Sequence, residues 1–170
     1  MNKAEVAKLL AFVTAVYPNI NIKNGTVEAW HEMLKDLPFN VALAATKKVI
    51  GEQEIPCVPA IGKIRAAATQ LTTPQLPTSG EAWGEVKEAI RKYGFYRELE
   101  AMENLSPPVK QVVKWMGWRE ICMSEEPDIV RAQFRKAYES QCSREKEMSQ
   151  MPADVRQLIS NVVKALPSAD

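Results

Sequence analysis

The chain has 170 residues, of which 46% are apolar and 25% are charged, a composition typical of a globular protein rather than a disordered one. Its 22 basic and 21 acidic residues leave a net charge of +1, so no overall field favours binding to nucleic acid or to an anionic membrane. No segment reaches the roughly 18 consecutive apolar residues of a membrane span, which excludes a membrane-spanning helix.

Two helices are predicted before residue 39. Asn2 and Glu5 have the spacing of a capping box, and the apolar stripe that follows them ends before Pro18. Thr26 is placed to cap a second helix, which Pro38 is expected to stop.

Two more helices complete the first half. The third is expected from about Asn40 to Gly51, where glycine can end a helix. Pro56 forces an extended backbone and Pro59 suits a first helical position, so a fourth helix is expected to follow and to reach about Leu71.

A segment at residues 72–80 interrupts the helical pattern. It contains three Thr, two Pro, one Ser and one Gly, which favours a semi-extended linker. The sequence therefore predicts an N-terminal helical domain at 1–71, a C-terminal helical domain at 81–166 and a frayed tail at 167–170.

The second half predicts only helices. Thr78 or Ser79 can cap a fifth helix, which Gly94 is expected to end. Further helices are expected over 95–105, from Ser106 to Gly117, and from Pro152 onward with the apolar positions Val155, Leu158, Ile159, Val162 and Val163.

The core of the second half is predicted around one long helix. Ser124 is placed to cap it, with acidic residues at its positive end, so it is expected to start near residue 125. Phe134 and Tyr138 lie on its apolar face, and Trp115 and Trp118 are expected to pack close to that face. The predicted fold class is all-α, with two small helical lobes joined by a linker.

No residue pattern indicates catalysis. The nearest fragment to a P-loop, Gly62-Lys63-Ile64, lacks the first glycine and the hydroxyl that would bind magnesium. His31 is the only histidine, which removes Ser-His-Asp, Cys-His and multi-His metal sites. Cys57, Cys122 and Cys142 lack C-x-x-C spacing and no leader is visible, so a reduced cytosol is expected. We therefore expect no enzyme, no cofactor and no metal site.

Aromatic residues are frequent in the second half, namely Trp83, Tyr93, Phe95, Tyr96, Trp115, Trp118, Phe134 and Tyr138. Core packing is their default role, but so small a core cannot hold all eight rings, and exposed Trp, Tyr and Arg are usual interface anchors. Basic clusters at 91–97, beside Tyr93 and Tyr96, and at 131–136 could bind single-stranded nucleic acid by phosphate pairing and base stacking. The acidic residues interleaved in both clusters argue against that role.

The first half contains the segments Glu5-Val6-Ala7-Lys8-Leu9-Leu10, Ala15-Val16-Tyr17-Pro18, Val27-Glu28-Ala29-Trp30, Met33-Leu34-Lys35-Asp36-Leu37 and Ile55-Pro56-Cys57-Val58-Pro59-Ala60-Ile61-Gly62-Lys63-Ile64-Arg65. Together they resemble the N-terminal domain of the phage replicative helicase loader/inhibitor proteins. The second half is similar to the longer phage members through Trp83-Gly84-Glu85-Val86, Ala89-Ile90-Arg91-Lys92-Tyr93-Gly94, Gly117-Trp118-Arg119-Glu120-Ile121-Cys122 and Arg131-Ala132-Gln133-Phe134.

That resemblance implies a non-enzymatic accessory protein that binds a DnaB-type hexameric helicase in the bacterial host cytoplasm. It would restrain the helicase and pass it to an origin-bound initiator or to single-stranded DNA. The C-terminal part is expected to contact the helicase, and the candidate contact residues are Trp118, Arg119, Glu120, Arg131, Arg135 and Tyr138. The alternative is a small helical DNA-binding regulator of the helix-turn-helix type, although the near-neutral charge of both halves counts against it.

Overall fold

The computed structural model describes residues 1–19 and 21–165, and within them the chain forms ten α-helices and no β-strand. The predicted all-α class is therefore confirmed. The predicted tail at 167–170 lies outside the described residues. In chain order the helices are α1 (Lys3–Val16), α2 (Thr26–Leu34), α3 (Phe39–Glu52), α4 (Ile61–Thr72), α5 (Ser79–Tyr93), α6 (Glu98–Asn104), α7 (Pro107–Met116), α8 (Trp118–Met123), α9 (Pro127–Gln150) and α10 (Ala153–Ala165).

The chain divides into two compact units. The first unit comprises Met1–Pro74 together with Met148–Asp170, and the second comprises Gln75–Glu147. The break after Pro74 falls within the segment that the sequence predicts as a linker. The sequence places α10 in the C-terminal domain, whereas the structure groups it with the N-terminal residues.

Helices α1 to α4 surround one apolar core in the first unit. The predicted capping box is present, because the Glu5 amide donates to Asn2 Oδ1 at 2.9 Å and the Asn2 amide donates to Glu5 Oε2 at 2.7 Å. Gly25, at φ +87°, precedes α2, so Thr26 is the first helical residue and not the predicted cap. The core residues are Val6, Leu9, Leu10, Trp30, Leu34, Ala42, Ala45, Val49, Ile64, Ala67 and Ala68.

A buried arginine ties α10 to the first unit. Arg65 is 4% exposed and forms a bidentate ion pair with Asp36, with N–O distances of 2.7 and 2.8 Å. Its guanidinium also donates to the backbone oxygens of Met33, Gln150 and Met151 at 2.8, 2.6 and 2.8 Å. Asp36 in turn accepts a hydrogen bond from the Ala153 amide at 3.1 Å. The pair therefore satisfies polar backbone groups that are otherwise unpaired where α9 ends and α10 begins.

We expect this ion pair to weaken in acid. The hydrogen bonds from Arg65 hold the pKa of the Asp36 carboxyl below its usual value. A carboxylate of this kind contributes stability above the pKa of the unfolded chain, and the contribution is lost as the pH falls through the folded-state pKa. An Asp36→Asn variant should therefore melt below the wild-type protein at pH 7, and this gap should begin to narrow near about pH 4 and shrink further as the pH falls. Thermal melts between pH 7 and pH 3 measure the gap; a constant difference would contradict the prediction.

The second unit has its own core. A second capping box, formed by Thr78 and Glu81, opens α5, and Gly94 ends that helix at φ +62°. Helix α9 begins at Pro127, two residues after the predicted start, and the Glu126 carbonyl accepts from the Val130 amide at 3.2 Å. Ser124 Oγ accepts from the Glu126 amide at 3.1 Å before the helix and does not cap its first turn. The core residues are Ala82, Trp83, Val86, Ala89, Ala101, Met102, Leu105, Val109, Val112, Val113, Trp118, Ile121, Phe134 and Tyr138.

Candidate partner-binding surfaces

Two of the six predicted contact residues lie inside the second unit. Trp118 is 1% exposed, and its indole nitrogen donates to the Gly94 carbonyl at 3.2 Å. Tyr138 is 2% exposed, and its hydroxyl donates to the Pro77 carbonyl at 2.9 Å. Burial raises the pKa of the Tyr138 hydroxyl above its usual value. Both side chains hold the core together and offer no surface to a partner in this structure.

Arg119 and Glu120 are exposed on α8, and Arg119 belongs to a group of aromatic and basic side chains. Its guanidinium lies 5.4 Å from the centre of the Phe95 ring, at a cation–π distance. Tyr96 meets the Phe95 ring edge-on at 5.0 Å and is 93% exposed. We call this group, with the Tyr93 ring and the two cations that flank it, the aromatic-basic cluster: Lys92, Tyr93, Phe95, Tyr96, Arg97 and Arg119.

The aromatic-basic cluster is only partly suited to nucleic acid. Tyr96 offers an open ring for base stacking. Arg97, however, forms an ion pair with Glu100, which removes one cation from the set that could contact phosphates. Phosphate binding depends on the number of free positive charges, so the cluster supports at most a weak contact.

Arg131 and Arg135 are both exposed on α9, one helical turn apart. Arg135 donates from Nε to Ser79 Oγ at 3.3 Å, and that hydroxyl donates to Glu139 at 2.8 Å. These are exposed contacts that contribute little to stability. The two arginines are therefore free to meet an acidic surface without disturbing the core.

An open groove lies between α7 and α9. It has a volume of about 380 Å³ and is lined by Gln111, Val112, Trp115, Ala137, Ser140, Gln141 and Arg144. Trp115 lines this groove, and 78% of its surface is exposed. Arg144 makes no ion pair with any residue that the structure describes. We call this feature the Trp115 groove. Tryptophan and arginine are both enriched at protein interfaces.

The expectation that Trp115 packs close to the core was wrong. On α7 the inward positions are Val109, Val112 and Val113, all buried. Residues advance by about 100° along a helix, so Trp115 falls roughly 120° away from this buried face. Gly117 then ends α7, and the chain enters α8 with Trp118 turned inward. The two tryptophans therefore have opposite roles although they are three residues apart.

The six predicted residues thus form no single surface. On α9 the buried stripe of Phe134 and Tyr138 separates two flanks, because of the same advance per residue. Arg131 and Arg135 lie on one flank, and the Trp115 groove lies along the other. The sequence-predicted residues include the first flank and none of the Trp115 groove, although the departure of Trp115 from the α7 apolar spacing indicated that its ring is exposed.

The described residues show no centre for metal chemistry. Within 1–19 and 21–165, no three His, Cys, Asp or Glu side chains gather as metal ligands would. Over the same part of the chain, none of the helices combines the length and the apolar character that crossing a membrane requires.

The described residues form a small α-helical protein with the Trp115 groove open on its second unit. Residues 1–65 match the family model for the N-terminal domain of the helicase loader/inhibitor of phage SPP1. The match covers α1 to α3 and the start of α4, is consistent with a phage helicase loader family, and confirms the resemblance predicted for the first half. Comparison of the chain with curated proteins and with solved structures gave no match.

Proposed function

We propose that this chain is a DNA replication accessory protein that binds a DnaB-type hexameric helicase, restrains it and loads it at an origin or onto single-stranded DNA. The observation that carries the proposal is the match of residues 1–65 to the loader/inhibitor domain. A helicase of this kind works in the bacterial cytoplasm, where the proposal also places this chain. The first unit would remain free for an origin-bound initiator or for DNA.

The proposed mechanism is binding without chemistry. The sequence carries no P-loop. The chain would therefore respond to the nucleotide that the helicase binds and would bind none through a P-loop of its own. A protein that binds one conformation of a motor more tightly than another shifts the motor toward that conformation. Each 1.4 kcal/mol of difference in binding free energy changes the ratio of the two states about tenfold.

The second unit offers the better contact surface. The Trp115 groove supplies an exposed aromatic anchor with a cation, Arg144, at its side. Such residues carry most of the binding energy at interfaces when they become buried by a partner. Arg131 and Arg135 on the other flank of α9 would contact acidic residues at the rim, where charge affects association rate and salt dependence more than affinity.

Mixing the purified chain with a DnaB-type helicase tests the proposal. Size-exclusion chromatography with and without ATP should show the chain eluting with the hexamer. Binding to duplex DNA alone, lost as salt is raised, would favour the DNA-binding regulator instead. Elution apart from the hexamer in every nucleotide state would contradict the proposal.

We predict that single substitutions on α7 and α9 distinguish the contribution of the aromatic anchor to helicase affinity from that of the charged rim. Trp115→Ala should weaken helicase binding by about tenfold or more, because it removes the aromatic anchor. Arg135→Glu should weaken it by about threefold or more at low salt, with a smaller effect at high salt. Affinity can be measured by fluorescence anisotropy of the labelled chain.

Lys87→Glu is the matched control for charge reversal, since Lys87 is exposed on α5 and lines no part of the groove. It should bind the helicase like the wild-type protein. Unchanged affinity of both Trp115→Ala and Arg135→Glu would move the contact away from α7 and α9.

A further inference from the structure

Helix α10 presents an apolar face that no described residue covers. Val155, Leu158, Val162 and Val163 are 40%, 64%, 54% and 61% exposed, and Ile159 between them is half-buried. Their spacing of three and four residues places them on one side of a 13-residue helix. So regular a stripe on an exposed helix is typical of a surface that packs against a second helix.

The residues of the stripe other than Val163 are arranged symmetrically about its centre. With an advance of about 100° per residue, Val155 and Val162 point along the middle of the stripe, and Leu158 and Ile159 lie about 50° to either side. Reading outward from the midpoint between residues 158 and 159, each direction meets a large aliphatic residue and then a valine. A twofold axis at this midpoint would therefore bring like layers together in an antiparallel helix pair.

We propose that α10 pairs with α10 of a second copy of this chain in an antiparallel, twofold-symmetric contact. Both polar edges of the stripe fit this arrangement. One edge carries Asp154 and Asn161, which would face each other across the pair, and the other carries Arg156 beside Val163. No two like charges become direct neighbours, so charge repulsion does not oppose this pairing.

The first unit holds α10 ready for this contact. Asp36 accepts from the Ala153 amide, and Lys35 forms an ion pair with Asp154 at 3.3 Å. These two contacts hold the first turn of α10 against the first unit. They matter because a helix of 13 residues is only marginally stable by itself in water. The apolar stripe beyond that turn is left exposed, and a second copy would both bury it and complete the stabilisation of the helix.

The molecular mass of the full chain in solution tests the inference. In sedimentation equilibrium without helicase, the mass should rise from 19.0 kDa toward twice that value. The contact is short, so the rise is expected over about 1 to 200 µM. Leu158→Asp should remain at the monomer mass throughout, whereas Gln157→Asp, which introduces the same charge on the opposite face, should associate like the wild-type chain.

Disulfide formation tests the antiparallel geometry. In a Cys57→Ser background, a mixture of Val155→Cys and Val162→Cys chains should form an intermolecular disulfide, because the two positions become neighbours. Val155→Cys alone should do so far more slowly, since its two copies would lie about 10 Å apart along the helix axis. Faster cross-linking of Val155→Cys alone would overturn the arrangement.

The inference does not rest on the proposed function, and the two can fail separately. A wild-type mass of 19.0 kDa at every concentration would overturn self-association. If the wild-type chain stays at this mass and Leu158→Asp also loses helicase binding, the helicase is the occupant of the stripe. That result also overturns the pairing. Concentration-dependent mass without helicase binding would support the pairing and contradict only the helicase proposal.

Discussion

Replacing Arg65 with leucine is expected to lower the free energy of unfolding of the first unit by about 3 to 5 kcal/mol. The guanidinium is 4% exposed and its partner carboxylate is 17% exposed, so removal of the cation leaves Asp36 charged in a site with little water. Three backbone carbonyls would also lose a donor. A cost of this size is a large share of the stability of a small unit.

Chemical denaturation followed by circular dichroism measures the loss, and hydrogen exchange locates it. Amides near Ala153 should exchange faster in Arg65→Leu, because α10 loses its attachment to the first unit. Lys35→Met is the matched control, since it removes exposed ion pairs with Glu32 and Asp154 and should lower the stability far less than Arg65→Leu does. Equal effects of the two substitutions would contradict the buried role of Arg65.

Trp118→Ala is expected to destabilise the second unit by about 3 to 5 kcal/mol, whereas Trp115→Ala should change its stability by less than about 0.5 kcal/mol. Trp118 is 1% exposed and fills the core beside Ile121 and Phe134, so its loss leaves a cavity as well as an unpaired Gly94 carbonyl. Trp115 is 78% exposed, so little of its surface leaves water on folding.

Urea denaturation of the full-length variants compares the two tryptophans directly. Phe95→Leu provides a control of intermediate burial and should fall between them. A large loss in Trp115→Ala would show that this ring packs inside the unit, and it would remove the groove on which the proposed helicase contact rests.

Local signals made much of the fold predictable. The capping box of Asn2 and Glu5 was predicted and is present, and of the two caps proposed for α5, Thr78 or Ser79, the structure uses Thr78. The glycines that end α5 and α7 have the positive φ that the sequence led us to expect of a helix stop. Such features depend on residues that are close together along the chain, so they can be predicted from a single sequence.

Long-range contacts were not visible in the same way. In the sequence, Arg65 is a charged residue that follows a Pro-rich segment and has no distinguishing feature. No neighbouring residue indicates that its partners are Asp36 and the end of α9. The pairing spans 29 residues in one direction and 85 in the other. Only the folded chain shows that one cation joins these segments, which is why the sequence placed α10 with the C-terminal domain.

The candidate site was predicted in part. Arg131 and Arg135 were correctly placed on the surface of α9, because they lie beside the apolar stripe that the sequence shows and not within it. Trp118 and Tyr138 were chosen as large aromatic residues near that stripe, and the core contains both. Residue type alone does not tell an interface anchor from a core residue, since the same large rings serve both purposes. For Trp115, the helical phase shows only that the ring lies off the buried face of α7.

The most direct test of the account is the affinity of the full-length chain for a DnaB-type helicase hexamer, measured in the ATP-bound, ADP-bound and nucleotide-free states. We expect tight binding in at least one state and an affinity at least about tenfold lower in another, which corresponds to about 1.4 kcal/mol of coupling. No binding in any of the three states would contradict the account.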